Sequence, residues 1–305
     1  MPHIIRQAMR AHIIYILLCA ATLLHAQGAK ELVILHTNDL HSTIEPLSQL
    51  LPDTMLRGRA GMMRCAAMVE QERQRNPHLL LLDSGDFSQG SPYYVFFQGK
   101  VEVALMNLMK YDAATLGNHE FDYGLDTLAN RLAQAHFPIV CCNADFSNTP
   151  LRNIVKPYTV VRRNGVKIGI FGLLPQPEGL VQAQNYKGMK YLDPVECTQK
   201  TVHTLRKKEG CHIVICLSHL GWNMEPAIDD RQLLAQCEGI DLLLGGHSHT
   251  YMQQMEWVNN KSSKTVGVDQ NGKHGAFAGR IVMQVEKKKM RKRQKGDAKS
   301  QPKGS

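Results

Sequence analysis

The stretch HLLLLDSGD at residues 78–86 sets the fold class of this chain. Residues 78–83 have strand length and contain four consecutive leucines, which is typical of a strand buried on both faces of a sheet. Gly85 and the acidic Asp86 follow at once. In α/β proteins, ligands bind beyond the carboxyl ends of such strands. The stretch therefore predicts an α/β fold with a site at one edge of a sheet.

The flanking sequence alternates strand-like and helical segments. Strand-like apolar runs recur at residues 31–36, 112–116 and 212–218, and segments with helical spacing separate them. This β-α-β alternation predicts a largely parallel sheet covered by helices.

Antiparallel strands are expected at two places. Asn164-Gly165 lies between two apolar segments and is a strong hairpin signal. Near the end of the chain, the segments at residues 250–258, 264–268 and 276–285 predict a terminal β-meander.

Five segments place metal-binding side chain types directly after strand-like runs. Because strand ends converge on one edge of an α/β sheet, we expect these residues to meet around a common ligand. Carboxylate and imidazole donors without thiolate suit Zn, Mn, Fe, Co or Ni, so we predict a pair of divalent metal ions. The segments are Asp39-Leu40-His41, Gly85-Asp86, Gly117-Asn118-His119-Glu120, Ser218-His219 and Gly246-His247-Ser248-His249.

This set of segments resembles the motifs of calcineurin-like metallophosphoesterases, in the family's order and with every position filled. The Asn-His-Glu-Phe-Asp run at residues 118–122 and Gln89-Gly90 after Asp86 resemble the 5′-nucleotidase branch in particular. The resemblance covers residues 31–285. It implies a four-layer αββα sandwich of two mixed sheets flanked by helices.

The resemblance also implies roles for individual residues. His119 is expected to contact the phosphoryl group and to assist departure of the leaving group, with Asp122 orienting its ring. Asp86 is expected to bridge the two metals. One metal would be held by Asp39, His41, Asp86 and His249, and the other by Asp86, Asn118, His219 and His247.

Charge and composition bound the domain organisation. The apolar share of 43% and the charged share of 21% are ordinary for a globular protein. The net charge is +9, but residues 287–305 hold nine lysines and arginines against Asp297, so the remainder carries only +1. The composition therefore does not indicate a basic catalytic domain, and we expect no nucleic acid partner. We predict a catalytic domain at residues 29–285 and a basic disordered tail at residues 286–305.

Residues 1–28 are typical of an export signal. Arg6 and Arg10 precede an apolar run at residues 13–24, and small residues follow around Ala26. The run is too short to span a bilayer, which needs about 20 residues. Of the eight cysteines, seven remain beyond Cys19, and no CxxC motif occurs, so we predict no structural zinc site and no specific disulfide.

These features predict an exported dinuclear-metal phosphoesterase in the periplasm, at the cell surface or secreted. We expect hydrolysis of phosphate monoesters, chiefly 5′-nucleotides, by attack of a metal-activated hydroxide. One alternative is a cyclic-nucleotide or nucleotide-sugar phosphodiesterase, because the same metal pair serves both reactions. Another is a binding protein that keeps the metals and acts through its basic tail on a membrane surface or an acidic partner.

The substrate partner is the least defined part of this prediction. Members of the 5′-nucleotidase branch carry a second, C-terminal domain that binds the nucleoside. The present sequence ends at Ser305, soon after the predicted catalytic domain. We therefore expect either a separately encoded nucleoside-binding domain or loose selection of the leaving group.

Overall fold

The computed structural model describes residues 29–54 and 56–286. The predicted signal peptide at residues 1–28 and the basic tail beyond Glu286 lie outside the described residues. The helices are α1 Met62–Arg75, α2 Pro92–Phe97, α3 Lys100–Met109, α4 Gly124–Leu132, α5 Pro194–His203 and α6 Asp230–Gln236, with 3₁₀ turns at His119–Phe121 and Ala183–Tyr186 and a π-helical turn at Thr204–Lys208.

The described strands include long apolar segments and several pairs of residues. They are β1 Ala29–Thr37, β2 Leu80–Asp83, β3 Ala113–Ala114, β4 Ile139–Val140, β5 Ala144–Asp145, β6 Val155–Lys156, β7 Tyr158–Arg163, β8 Val166–Leu173, β9 Lys190–Tyr191, β10 Ile213–Ser218, β11 Leu242–Leu244, β12 Glu256–Asn259, β13 Thr265–Asp269 and β14 Gly279–Glu286.

Twelve of the described strands build two mixed sheets of six. The first has the order β14-β1-β2-β3-β4-β6, and all its pairs are parallel except β14 with β1. The second has the order β12-β13-β11-β10-β8-β7, with parallel inner strands and an antiparallel strand at each edge. Strands β5 and β9 form a separate small ribbon.

Side-chain alternation along the strands stacks the two sheets face to face. On β1, Leu32 and Ile34 lie in the apolar core shared by the sheets, whereas Val33 and Leu35 pack with residues of α1, α3 and α4. Strand β10 alternates in the same way between the shared core and the core beneath α5 and α6. Continuous apolar runs are therefore buried on both faces. The resulting order of layers is helix, sheet, sheet, helix, which confirms the predicted fold class.

The two expected antiparallel regions have different outcomes. The hairpin is confirmed: β7 pairs with β8, and Asn164 and Gly165 at its tip both have positive φ, as a tight hairpin turn requires. The terminal meander is wrong. Strands β12 and β13 do form a hairpin, but β13 also pairs in parallel with β11, and β14 crosses to the first sheet and pairs with β1. This crossing buries Ile281 and Val285 in the core between the sheets.

The core between the sheets should dominate stability. We expect Ile34→Ala, at a fully buried position of that core, to lower the free energy of unfolding by about 3 kcal/mol, since it removes buried methylenes and leaves a cavity. Val282→Ala on β14, whose side chain is 43% exposed, serves as the control and should cost less than about 1 kcal/mol. Denaturant unfolding measures both. Equal losses would contradict this assignment of the core.

Candidate metal centre

The predicted site residues meet at one end of the sandwich, where five parallel strands from both sheets finish. Asp39 N donates to Gly85 O at 2.9 Å, which joins the loops after β1 and β2. His219, after β10 in the second sheet, donates from Nδ1 to Ser84 O at 2.6 Å. His247 N, after β11, donates to Asp39 Oδ2 at 3.0 Å. The two sheets are therefore linked directly through the residues of the site.

Six of the seven predicted metal ligands form two groups. Among residues 29–54 and 56–286, each group brings one ligand atom per residue within 4.8 Å of the others. Both groups contain one carboxylate and two imidazoles. The groups are Asp39, His41 and His249, and Asp86, His219 and His247.

In the first group the donor atoms converge on a point near Asp39. Its Oδ1 lies 3.4 Å from His249 Nε2 and 3.8 Å from His41 Nε2. The two imidazole nitrogens are 2.8 Å apart. The Asp39 carboxylate is fully buried and is oriented by Asn38, whose amide donates to Oδ2 at 2.7 Å.

In the second group the donor atoms point at a common space. Because His219 Nδ1 donates to Ser84 O, its Nε2 faces the site. This Nε2 lies 3.1 Å from Asp86 Oδ2 but out of line for a hydrogen bond, and it has no hydrogen-bond partner. Asn118 Oδ1 is also buried without a partner. Buried donor atoms without partners are expected where a metal ion binds, so these residues fit a divalent cation.

The electrostatics favour the ligating forms of His41, His247 and Asp86, whereas His219 is held protonated until a cation replaces its proton. Burial lowers the pKa of His41, and it lowers the pKa of His247 to about 4, so both imidazoles are neutral at pH 7. Burial opposes ionisation of Asp86, but His219 outweighs it and holds the pKa of the carboxyl below its usual range. Despite its burial, Asp86 raises the pKa of His219 to about 10. The carboxylates therefore favour a positive charge beside them, which a proton or a metal ion supplies.

The backbone of the site is strained. Positive φ values are uncommon for residues other than glycine and cost energy unless the surrounding structure enforces them. Five of the seven predicted ligands have φ between 46° and 72°. The hydrogen bonds between loops impose this conformation, which turns the side chains inward. These residues are Asp39, His41, Asp86, His247 and His249.

Gly117 allows the second group to assemble. A Cβ atom at this position would lie 2.1 Å from Asp86 Oδ1 and 2.6 Å from His219 Nε2. No side chain fits between those groups without displacing one of them. The glycine that opens the Gly117–Glu120 segment is therefore a requirement of close approach.

His119 and Asp122 stand beside the two groups as a pair. His119 Nδ1 lies 3.0 Å from Asp122 Oδ2, and both side chains are 33% exposed. The hydrogen bond to Asp122 raises the pKa of His119. The His119 ring also packs edge-on to the His41 ring, at 5.5 Å between centroids. This arrangement places an imidazole whose protonated form is favoured by Asp122 next to the first group of donors.

His274 is a neighbour of the site that the sequence analysis missed. Its N–H donates to Asp39 O at 2.7 Å, and its ring lies 5.8 Å from the His41 ring. Strand β13 is parallel to β11, so the loop that carries His274 begins at the same edge of the sheet. Because the sequence analysis assigned residues 264–268 to an antiparallel meander, it did not place the loop with His274 at the edge that holds the site.

Comparison with known proteins agrees with the geometry. The family model of calcineurin-like phosphoesterases matches residues 32–251. This chain belongs to that family. The match confirms the resemblance drawn from the motifs and the enzyme class that it implied, a metal-dependent phosphoester hydrolase.

Several relatives of this phosphoesterase carry nucleotide-related names. The trifunctional nucleotide phosphoesterase YfkN of Bacillus subtilis is 30% identical over 86% of this chain and 18% of its own length. The human 5′-nucleotidase is 32% identical over 85% of this chain and 44% of its own. The crystal structure of a 5′-nucleotidase precursor from Thermus thermophilus superposes with a TM-score of 0.73 at 27% identity, covering 88% of this chain and 59% of that one. The chain thus spans less than two thirds of each.

Within the described part of the chain, no helix has the length and apolar character needed to cross a membrane.

The close approach at Gly117 gives a direct test of the second group. We expect Gly117→Ala to weaken binding of one of two metal ions by at least tenfold, because the methyl group collides with Asp86 and His219. Metal titration by isothermal calorimetry measures this. Gly179→Ala is the control: its added methyl meets no atom within 4 Å, and the backbone strain at its φ of +83° should lower stability without changing metal binding, since Gly179 lies in neither group of donors. Unchanged metal binding by Gly117→Ala would contradict the assignment.

Proposed function

We propose that the protein is an exported phosphomonoesterase that hydrolyses 5′-nucleotides with two divalent metal ions. The observation that carries this proposal is the convergence of two groups of carboxylate and imidazole donors beside the His119–Asp122 pair. Phosphoryl transfer requires charge neutralisation at the phosphate, an activated water and a proton for the leaving oxygen. The site has residues suited to each requirement.

The metal-holding residues would be those of the two groups, together with Asn118. When bound, two divalent ions activate a water for attack and offset the charge of the phosphoryl oxygens. Asp86 would lie between the ions, where a carboxylate reduces their mutual repulsion. Asn118 adds a neutral oxygen, and its Oδ1 has no other partner. Zn, Mn, Fe, Co and Ni all suit this donor set.

His119 would act as the proton donor. Its Nδ1 faces the Asp122 carboxylate, so Nε2 is the nitrogen available to the substrate. The same contact raises the pKa of the ring and so favours its protonated form. His119 would donate this proton to the ester oxygen as the bond to phosphorus breaks, so that the leaving group departs as a neutral alcohol.

The relatives support nucleotides as the substrate class. The Bacillus protein is named a nucleotide phosphoesterase, and the human protein is named a 5′-nucleotidase. Both are longer than this chain, so their substrates enter here as a proposal. A separately encoded domain that binds the nucleoside belongs to the same proposal. Export to the periplasm or the cell surface rests on the signal-like composition of residues 1–28.

Substrate preference tests the proposed function. We expect the purified protein, supplied with Mn²⁺ or Zn²⁺, to release phosphate from AMP with a higher kcat/KM than from an aryl phosphate. It should cleave cyclic AMP and a nucleotide sugar more slowly, since a diester leaves less charge for the metals to bind. Phosphate release assays and chromatography of the nucleosides measure this. Faster cleavage of the diesters would favour a phosphodiesterase, and no cleavage of any ester would refute hydrolysis.

The role of His119 makes two further expectations measurable. His119→Ala should lower kcat by about 10²- to 10⁴-fold while both metals stay bound, because the ring donates a proton and binds no metal. Asp122→Asn should lower the pKa of His119. Activity that requires protonated His119 falls as pH rises through this pKa, so the alkaline limb of the pH–rate profile should move to lower pH. Loss of metal from His119→Ala, measured by elemental analysis, would show that it is a ligand instead.

A further inference from the structure

Glu120 lies beneath the site and points away from it. The 3₁₀ turn His119–Phe121 directs neighbouring side chains in opposite directions. His119 is 33% exposed and faces the substrate side, whereas Glu120 is 1% exposed. A fully buried carboxylate is costly unless its oxygens accept hydrogen bonds. The contacts of Glu120 therefore reveal why it is there.

Three backbone amides of the site loops donate to the Glu120 carboxylate. Oε2 accepts from Asp86 N at 2.9 Å and from Gly117 N at 2.6 Å. Oε1 accepts from Ser88 N at 3.1 Å. Asp86 and Ser88 follow β2, and Gly117 follows β3. One carboxylate thus joins the loop that carries Asp86 to the loop that carries Asn118.

The link between these two loops is reciprocal. The Asp86 carboxylate accepts through Oδ1 from His119 N at 2.9 Å, so both the main chain and the side chain of Asp86 are held by the same turn. Two further side chains hold the turn by donating to its backbone carbonyl oxygens. Arg131 Nη2 donates to Glu120 O at 2.8 Å, and Tyr94 OH donates to His119 O at 3.2 Å. Rotation of Glu120 away from the loops would break this arrangement.

We propose that Glu120 is a positioning residue that sets the metal affinity of the group formed by Asp86, His219 and His247. It does so by fixing the separation of Asp86 and Asn118, because its carboxylate accepts backbone amides from both of the loops that carry them. The inference rests on the dinuclear centre proposed above. Asp39, His41 and His249 of the first group donate no hydrogen bond to Glu120, and that metal would share only Asp86 with the second group, so its affinity should depend less on this carboxylate.

Glu120→Gln tests the inference with little change in shape. The amide keeps one acceptor oxygen but turns an N–H₂ group toward a backbone N–H, so at least one of the three bonds is lost. Titration of the metal-free full chain with Mn²⁺, with free Mn²⁺ read by electron paramagnetic resonance, measures both sites. We expect tenfold to hundredfold weaker binding at one site, the range typical of residues that orient metal ligands. The other site, which shares only Asp86 with that site, should weaken by a smaller factor.

Glu72→Gln is the matched control. Glu72 is another buried glutamate, but its carboxylate accepts from the side chains of Arg280 and Asn76 and from no site loop. Its substitution should lower the thermal unfolding midpoint and leave both Mn²⁺ affinities unchanged. Wild-type affinities in Glu120→Gln, or equal weakening of both sites, would overturn the positioning role. Wild-type protein that binds two Mn²⁺ but hydrolyses no phosphate ester would instead refute the proposed function alone.

Discussion

Two buried carboxylates, Asp39 and Asp86, impose the constraint on which the site depends. Both are almost completely removed from solvent, and an ionised carboxylate in such a place is stable only when hydrogen bonds and positive charge compensate it. Backbone and amide donors supply part of this: His247 N and Asn38 bind Asp39, and His119 N binds Asp86. The sides that face the imidazoles still require positive charge. The loops of the site therefore place imidazoles beside these two carboxylates.

The sandwich architecture brings the carboxylates and the imidazoles together, because neither sheet alone carries all the residues of the site. The first sheet contributes Asp39, His41, Asp86 and Asn118, and the second contributes the three other histidines. Packing the sheets through their shared apolar core brings the two sets together. Damage to that core would therefore disturb the separation of the donor groups as well as stability. The positive φ angles show that the loops are strained where the two halves meet.

Buried carboxylates beneath the site have a different task from those within it. Glu120 accepts backbone amides from two loops, and Asp83 accepts from Gly85 N at 2.9 Å and from the Thr37 hydroxyl at 2.6 Å. Neither belongs to a group of metal-binding donors among the residues that the structure describes. Acidic side chains thus serve both as candidate ligands and as supports that shape the ligand loops. Residue type does not separate these roles, whereas orientation does.

The sequence by itself determined the fold class and predicted which residues form the site. Apolar runs of strand length can be buried only within a layered sheet, and polar residues after them must gather at the carboxyl edge. That reasoning indicated five site segments, and the resemblance to the phosphoesterase motifs implied the seven candidate ligands and the His119–Asp122 pair. Only the tertiary structure decided that β14 pairs with β1, that His274 lies beside the site, and that Glu120 points away from the two groups of donors. These outcomes depend on which distant strands pair and which way a buried side chain points. The spacing of residues along the sequence predicts neither.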